Sequence, residues 1–218
     1  MKYRAVIFDL DGTLLNTLED LANCMNDVLD RSGFLPHRVE AYKYFVGDGM
    51  ENLVRRALPE GKRHDEATVA ECLAAMRWEY GNRWKERTRP YEGIPQLLDA
   101  LVKRGIKIAV LSNKPDEFTR KMVAELLPHW TFDPVFGERP PVPRKPDPSG
   151  ALEIANHLKI PAGDFLYLGD TNTDMQTAVA AHMQAIGVLW GFRGADELLA
   201  SGAETLIETP MSLLKLLD

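Results

Sequence analysis

Cysteine is nearly missing from this 218-residue chain, which has two, Cys24 and Cys72. They make no metal-ligand spacing, and free thiols in a reducing compartment, hence a cytoplasmic location, are the expectation. Histidine is thin as well. The five present (His37, His64, His129, His157 and His182) form no HxH or HExxH pattern, so zinc is not indicated. Long apolar runs are lacking: none approaches the ~18 residues of a membrane span, and the first strand-like run begins after a single lysine. Neither a membrane span nor a secretory signal is expected. Basic residues are in the minority, 26 Lys and Arg against 32 Asp and Glu, for a net charge of −6. That balance excludes wholesale nucleic-acid binding by a basic surface, and a small anionic substrate would need locally placed cations. The remaining composition, 45% hydrophobic and 27% charged, is ordinary for a globular protein. The length allows one domain, or one domain carrying a large insertion.

Short apolar runs alternate with helical periodicity through much of the chain. Residues 3–8, 106–111 and 165–168 read as buried strands, with weaker strands over 185–189 and 205–207. Helices are predicted over 94–103, 117–127, 148–158, 173–181 and 195–201. Such alternation implies an α/β fold, a doubly wound, Rossmann-like parallel sheet with helices on both faces. From residue 18 to residue 84 the pattern is helical throughout, carried by Leu21, Met25, Val28 and Leu29, then by Leu53, Val54, Ala57 and Leu58, with a further helix over 66–84. The expected organisation is therefore an α/β core from residues 1–15 and 90–218, interrupted by a helical insertion over 16–89. Tyr80, Trp78 and Trp84 read as core of that insertion. The proline-rich stretch GERPPVPRKPDPSG reads as a rigid exposed loop.

In doubly wound sheets, ligands bind beyond the carboxyl ends of the strands. Past the first strand come Asp9 and Asp11; past the second, Ser112, Asn113 and Lys114. Arg144, Lys145, Pro146 and Asp147 precede the helix at 148–158, and Asp170 and Asp174 follow the strand at 165–168. Each group has an ordinary explanation by itself: an Asp-Gly turn, a helix cap, a solvated lysine, or acids complementing a helix dipole. Together they gather four acids, a hydroxyl and a lysine at one sheet edge. Clustered carboxylates with no His or Cys suit a hard cation, Mg²⁺. A carboxylate facing a second acid suits attack on a phosphoryl group through an aspartyl-phosphate, with Ser112 and Lys145 holding the phosphoryl oxygens. Spacing alone leaves open which of Asp9 and Asp11 is the nucleophile. Gly12 lets the chain turn sharply, and Thr13 reads either as a hydroxyl orienting Asp11 or as a plain turn threonine.

Taken in order, FDLDGT, LSN, RKPDP and GDTNTD resemble the four motifs of the haloacid dehalogenase superfamily. The resemblance implies that Asp9 is nucleophile and Mg²⁺ ligand, and that Asp11 is general acid and base and gives its backbone carbonyl to the metal. It implies that Asp170 is a direct ligand and Asp174 a ligand or its anchor. Ser112, with Asn113, would bind phosphate, and Lys145 would bridge phosphate and Asp9. Dehalogenases of the superfamily lack the second aspartate of the first motif, so Asp11 points to a phosphatase or phosphomutase. The insertion stands where the superfamily carries a helical type-1 cap. YFVGDGMENLVRRAL, PYEGI, SNKPDEFTRKMVAEL and RKPDPSGAL are similar to phosphoglycolate phosphatases.

In the insertion, Gly47 and Gly49 are candidates to offer backbone amides to an anionic substrate, or to form a simple interhelical turn capped by Asp48. Arg55 and Arg56, and more weakly Lys43, are its candidate substrate cations. His182 stands where relatives have glycine, at a helix end that favours a left-handed residue, and is read as structural. The function implied is a Mg²⁺-dependent phosphomonoester hydrolase of phosphoglycolate phosphatase type acting on a small phosphorylated metabolite. A β-phosphoglucomutase-like phosphomutase, a pyrophosphatase or nucleotidase of the same superfamily, and a non-catalytic binding protein on this fold are the alternatives. No nucleic-acid or membrane partner is expected, and monomer and homodimer are both open.

Overall fold

The computed structural model describes residues 3–217, so the end residues 1, 2 and 218 of the expected core lie outside the described residues. Contacts divide the chain into two compact units, one of Met1–Leu15 with Pro90–Asp218 and one of Asn16–Arg89. The chain crosses between them in two short strands, β2 (Leu15–Asn16) and β3 (Arg89–Pro90), which pair with each other.

The larger unit is built on a six-stranded sheet in the order β5-β4-β1-β6-β7-β8. Its strands are β1 (Ala5–Phe8), β4 (Lys107–Pro115), β5 (Val135–Glu138), β6 (Phe165–Gly169), β7 (Gln184–Val188) and β8 (Thr205–Ile207). Every pairing is parallel. Between the strands run α4 (Ile94–Lys103), α5 (Asp116–Leu126), α6 (Ser149–Leu158), α7 (Asn172–Ala180) and α8 (Ala195–Ala200). On one face Ala5, Ile7, Ala109, Leu111, Phe165, Tyr167 and Ala185 pack with Ile154 of α6, Met175 of α7 and Leu198 of α8. The alternate residues, Val6, Phe8, Ile108, Val110, Leu166 and Leu168, are equally buried. Both faces are therefore covered, which is why these strands read as unbroken apolar runs.

Two departures from the sequence reading are physical. β4 continues through Ser112, Asn113 and Lys114, all buried, to a half-buried Pro115; its register against β5 shifts between Leu111 and Pro115, which pairs with Glu138. β5 was not legible: it is four residues long, on the sheet's edge and mostly half-buried. It takes in Gly137 and Glu138, so the segment expected to be loop from Gly137 begins as strand. Gly137 leaves no room for a side chain, since a Cβ there would lie 2.5 Å from the Asp116 Cα. At the end of α7, His182 adopts φ 57°, the left-handed conformation that histidine tolerates at modest cost.

In the smaller unit, α1 (Leu18–Arg31), α2 (Met50–Ala57) and α3 (Glu66–Arg83) are joined through short 3₁₀ turns at Val39–Tyr44 and Glu60–Lys62. The apolar positions Leu21, Met25, Val28 and Leu29 of α1 and Val69, Cys72, Met76 and Tyr80 of α3 are all buried. Asp20 is buried too, and accepts hydrogen bonds from the backbone amides of Arg87 (2.9 and 3.0 Å) and Thr88 (2.9 Å) and from the Thr88 hydroxyl (2.7 Å). These bonds tie the returning segment to the first helix. Tyr80 and Trp84 are core, whereas Trp78 is 66% exposed, a correction that follows from its place on the outer face of α3. Among the described residues no helix is long and apolar enough to cross a membrane.

Candidate active site

β1 is central, with β4 on one side and β6 on the other, so the strand order reverses beside it and the carboxyl ends of all three meet at one point. The Asp9 amide donates to the Leu168 carbonyl at 2.9 Å, keeping Asp9 in line with the strand. Gly12 then turns the chain at φ 90°, and its amide donates to the Leu15 carbonyl at 2.9 Å. A Cβ on Gly12 would lie 2.2 Å from Asp170 Oδ2, so the turn demands glycine for clearance as well as for conformation.

Asp9, Asp170 and Asp174 each present a carboxylate oxygen within 4.8 Å of the others, and all three are buried. Lys145, also buried, donates from Nζ to Asp9 Oδ1 (2.8 Å) and to Asp174 Oδ1 (2.7 Å). The second oxygen of Asp174 accepts from the Thr171 amide (3.1 Å) and hydroxyl (2.7 Å) in a capping box that opens α7. Asp170 is held by the Thr13 hydroxyl at Oδ1 (3.1 Å) and the Phe192 amide at Oδ2 (2.8 Å). Thr13 therefore orients Asp170 and not Asp11. Burial pushes the Asp9 carboxyl up to about 7; Lys145 opposes the shift, and Asp174 and Asp11 add to it. Burial, then Asp174 and Asp9, push Asp170 well above the usual carboxylate range. Burial alone would lower Lys145, but Asp174 and Asp9 outweigh it and hold the ammonium charged.

Asp11 lies beside this cluster, its carboxylate taken by Lys114 Nζ at 3.1 and 2.9 Å. The Lys114 side chain is only 3% exposed. Sequence reasoning placed Lys114 at the strand end and gave it no role; the signal available was a lysine on a buried strand next to Ser112. Ser112 is buried, and its Oγ accepts from the Lys114 amide at 3.3 Å. Asn113 is spent on structure. Its Nδ2 donates to the Lys145 carbonyl (3.0 Å) and its Oδ1 accepts from the Lys145 amide (2.9 Å), so it fixes the backbone of the lysine from a strand 32 residues away in sequence. The other missed element is the loop at 189–194 after β7. Besides the Phe192 amide it contributes Gly191, where a Cβ would lie 2.2 Å from that of Asp170.

The donor set fits a hard divalent cation. It is all oxygen, and four carboxylates against two ammonium groups leave two negative charges when every group is ionised. Removing that excess in a buried site requires protons or a cation.

In the smaller unit, Gly47 (φ 128°) and Gly49 (φ 90°) shape the turn into α2. Asp48 does not cap the helix with its side chain; it pairs with Arg56, whose Nη1 also donates to the Phe45 carbonyl at 3.2 Å. Arg55 spans Glu51 and Glu66, each at 2.7 Å. Both arginines expected as substrate cations are thus engaged within their own unit.

An open parallel α/β sheet with this chemistry at its carboxyl edge defines a hydrolytic enzyme, and the comparisons make it a phosphatase. A family model for haloacid dehalogenase-like hydrolases matches residues 6–188, and the chain belongs to that family. The phosphoglycolate phosphatase of Pseudomonas putida is 32% identical over 214 residues, 97% of this chain and 78% of that protein. Phosphoglycolate phosphatase 1 of Pseudomonas aeruginosa is 28% identical over 218 residues, 99% of this chain and 80% of that one. A crystal structure from Lactobacillus delbrueckii subsp. bulgaricus, provisionally named a phosphoglycolate phosphatase, matches with a TM-score of 0.93 at 34% identity, covering 99% of this chain and 98% of the other.

Proposed function

We infer that the protein is a Mg²⁺-dependent phosphomonoesterase that works through an aspartyl-phosphate on Asp9, with phosphoglycolate the first substrate to test. The observation that carries this reading is the buried triad of Asp9, Asp170 and Asp174 bridged by Lys145, with Asp11 beside it and free of the triad. In this scheme Asp9, Asp170, Asp174 and the Asp11 carbonyl would hold Mg²⁺, which supplies positive charge against the phosphoryl oxygens and the clustered acids. Asp9 attacks phosphorus as the bond to the leaving oxygen breaks, and protonated Asp11 gives that oxygen its proton. Asp11, now a carboxylate, takes a proton from water, which attacks the phosphorus and returns Asp9. Ser112 and Lys145 hold the phosphoryl oxygens as charge develops, while Asn113 keeps Lys145 in place.

The helical unit serves as a cap that reads the leaving group and excludes water. Within it the glycine turn at Gly47 and Gly49 is the substrate-facing candidate, with Arg56 holding the turn and Arg55 bracing α2 against α3. The relatives named phosphoglycolate phosphatase support a small anionic phosphomonoester as substrate. The test is phosphate release from phosphoglycolate, sugar phosphates, nucleotides and pyrophosphate with excess Mg²⁺. Isomerisation of a sugar phosphate without phosphate release would overturn the hydrolase reading, and release by Asp9→Asn at the wild-type rate would overturn the mechanism.

A further inference from the structure

The loop after β7 reaches the acidic cluster by a route that the catalytic scheme does not use. Trp190 is half-buried, and its indole Nε1 donates to the backbone carbonyl of Thr13 at 3.0 Å. The hydroxyl of the same Thr13, fully buried, donates to Asp170 Oδ1 at 3.1 Å. Two residues beyond Trp190, the Phe192 amide donates to Asp170 Oδ2 at 2.8 Å. Gly191 between them lies so close that a Cβ would meet Asp170 Cβ at 2.2 Å and the Gly12 carbonyl at 2.5 Å. One carboxylate is thus gripped at both oxygens by a loop and by the turn following β1, and the indole hydrogen bond joins loop to turn.

We propose that Trp190 is a positioning residue for the metal site: its indole N–H fixes the Thr13 backbone, and through it the aim of Asp170 at the bound cation. The physical need is specific. Among the described residues no lysine is paired with Asp170, whereas Asp9 and Asp174 share Lys145, so the described donors that orient Asp170 are neutral. Outer partners of this kind set ligand direction and basicity, and losing one commonly weakens metal binding about 10- to 100-fold. Trp190 acts one step further out, so its loss costs less than the loss of the Thr13 hydroxyl. This inference rests on the reading that Asp9, Asp170 and Asp174 bind Mg²⁺.

The test is calorimetric titration of the metal-free protein with Mg²⁺, which needs no substrate and no turnover. Trp190→Phe keeps the ring and removes the donor, and is expected to raise the Kd about three- to tenfold. Thr13→Val is expected to raise it tenfold or more, and Thr13→Ser to leave it near wild type. The double variant Thr13→Val with Trp190→Phe should bind no more weakly than Thr13→Val alone, because Trp190 acts through Thr13. Independently of any variant, the assigned indole N–H resonance of Trp190 should move during the titration with the same Kd. Wild-type affinity in Trp190→Phe, full additivity in the double variant, or an indole resonance that does not move would each overturn the proposal while leaving the metal reading intact. Failure of the wild type to bind Mg²⁺ would overturn both.

Discussion

Replacing Asp9 by asparagine should remove phosphate release and, in the absence of metal, also change how stability depends on pH. The folded protein holds the Asp9 carboxyl at about 7 against an ordinary 3.8, so between those values the native state keeps a proton that the unfolded chain has lost. Stability then falls as pH rises, by about 1.4 kcal/mol per unit for this one group. The loss begins near the lower value and ends near the upper. From pH 5 to pH 8 the wild type should lose about 3 kcal/mol through Asp9, most of it below pH 7. For a chain of this size that corresponds to roughly 5–10 °C in Tm. Asp9→Asn has no such proton. It gives up the charged hydrogen bond with Lys145, a loss of about 1.5–3 kcal/mol, and it relieves Asp170, whose carboxyl is raised partly by Asp9. Thermal melts of both proteins in EDTA across pH 5–8 should therefore converge or cross in the variant's favour as pH rises, and excess Mg²⁺ should restore the wild type at the alkaline end. Phosphate release by the variant should drop by about 10⁴-fold or more. Parallel melting profiles for the two proteins would refute the claim that burial among other acids governs Asp9.

Lys114→Met should lower turnover about 10- to 100-fold with little change in Mg²⁺ affinity, because it frees Asp11 and leaves the triad untouched; a matching loss of metal affinity, measured by titration, would refute this division. Arg55→Ala should leave KM unchanged, since Arg55 is occupied by Glu51 and Glu66, whereas Arg56→Ala should raise KM several-fold by releasing the turn at Asp48. Steady-state kinetics with the best substrate decides, and a raised KM in Arg55→Ala would return that arginine to the substrate.

Most of the architecture was legible in the chain because its strands are covered on both faces. Burial on both sides makes an apolar run, and the runs at 3–8, 106–111 and 165–168 fall on β1, β4 and β6. β5 escaped because a short edge strand is neither apolar throughout nor periodic. The polar residues at the end of β4 looked like loop because they carry no apolar pattern, and the strand runs on through Ser112, Asn113 and Lys114 across a register shift before Pro115 pairs with Glu138 of β5. Trp78 was misread because the broad, weakly patterned apolar content of α3 does not mark which ring turns outward.

By itself the sequence determined the order of the acids, the serine and the lysine along the chain and the strand ends to which each belongs, since local hydrophobic pattern and turn chemistry are written residue by residue. Only the tertiary structure decided the partnerships: Lys114 with Asp11, Asn113 with the backbone of Lys145, Thr13 with Asp170, and Trp190 with Thr13. These join residues 32 to 177 positions apart. Such pairs depend on where packing of the sheet brings separate strand ends, and no local pattern encodes that. The same packing strips water from Asp9, Asp170 and Asp174, and it is this burial that turns three common aspartates into a site in need of a cation.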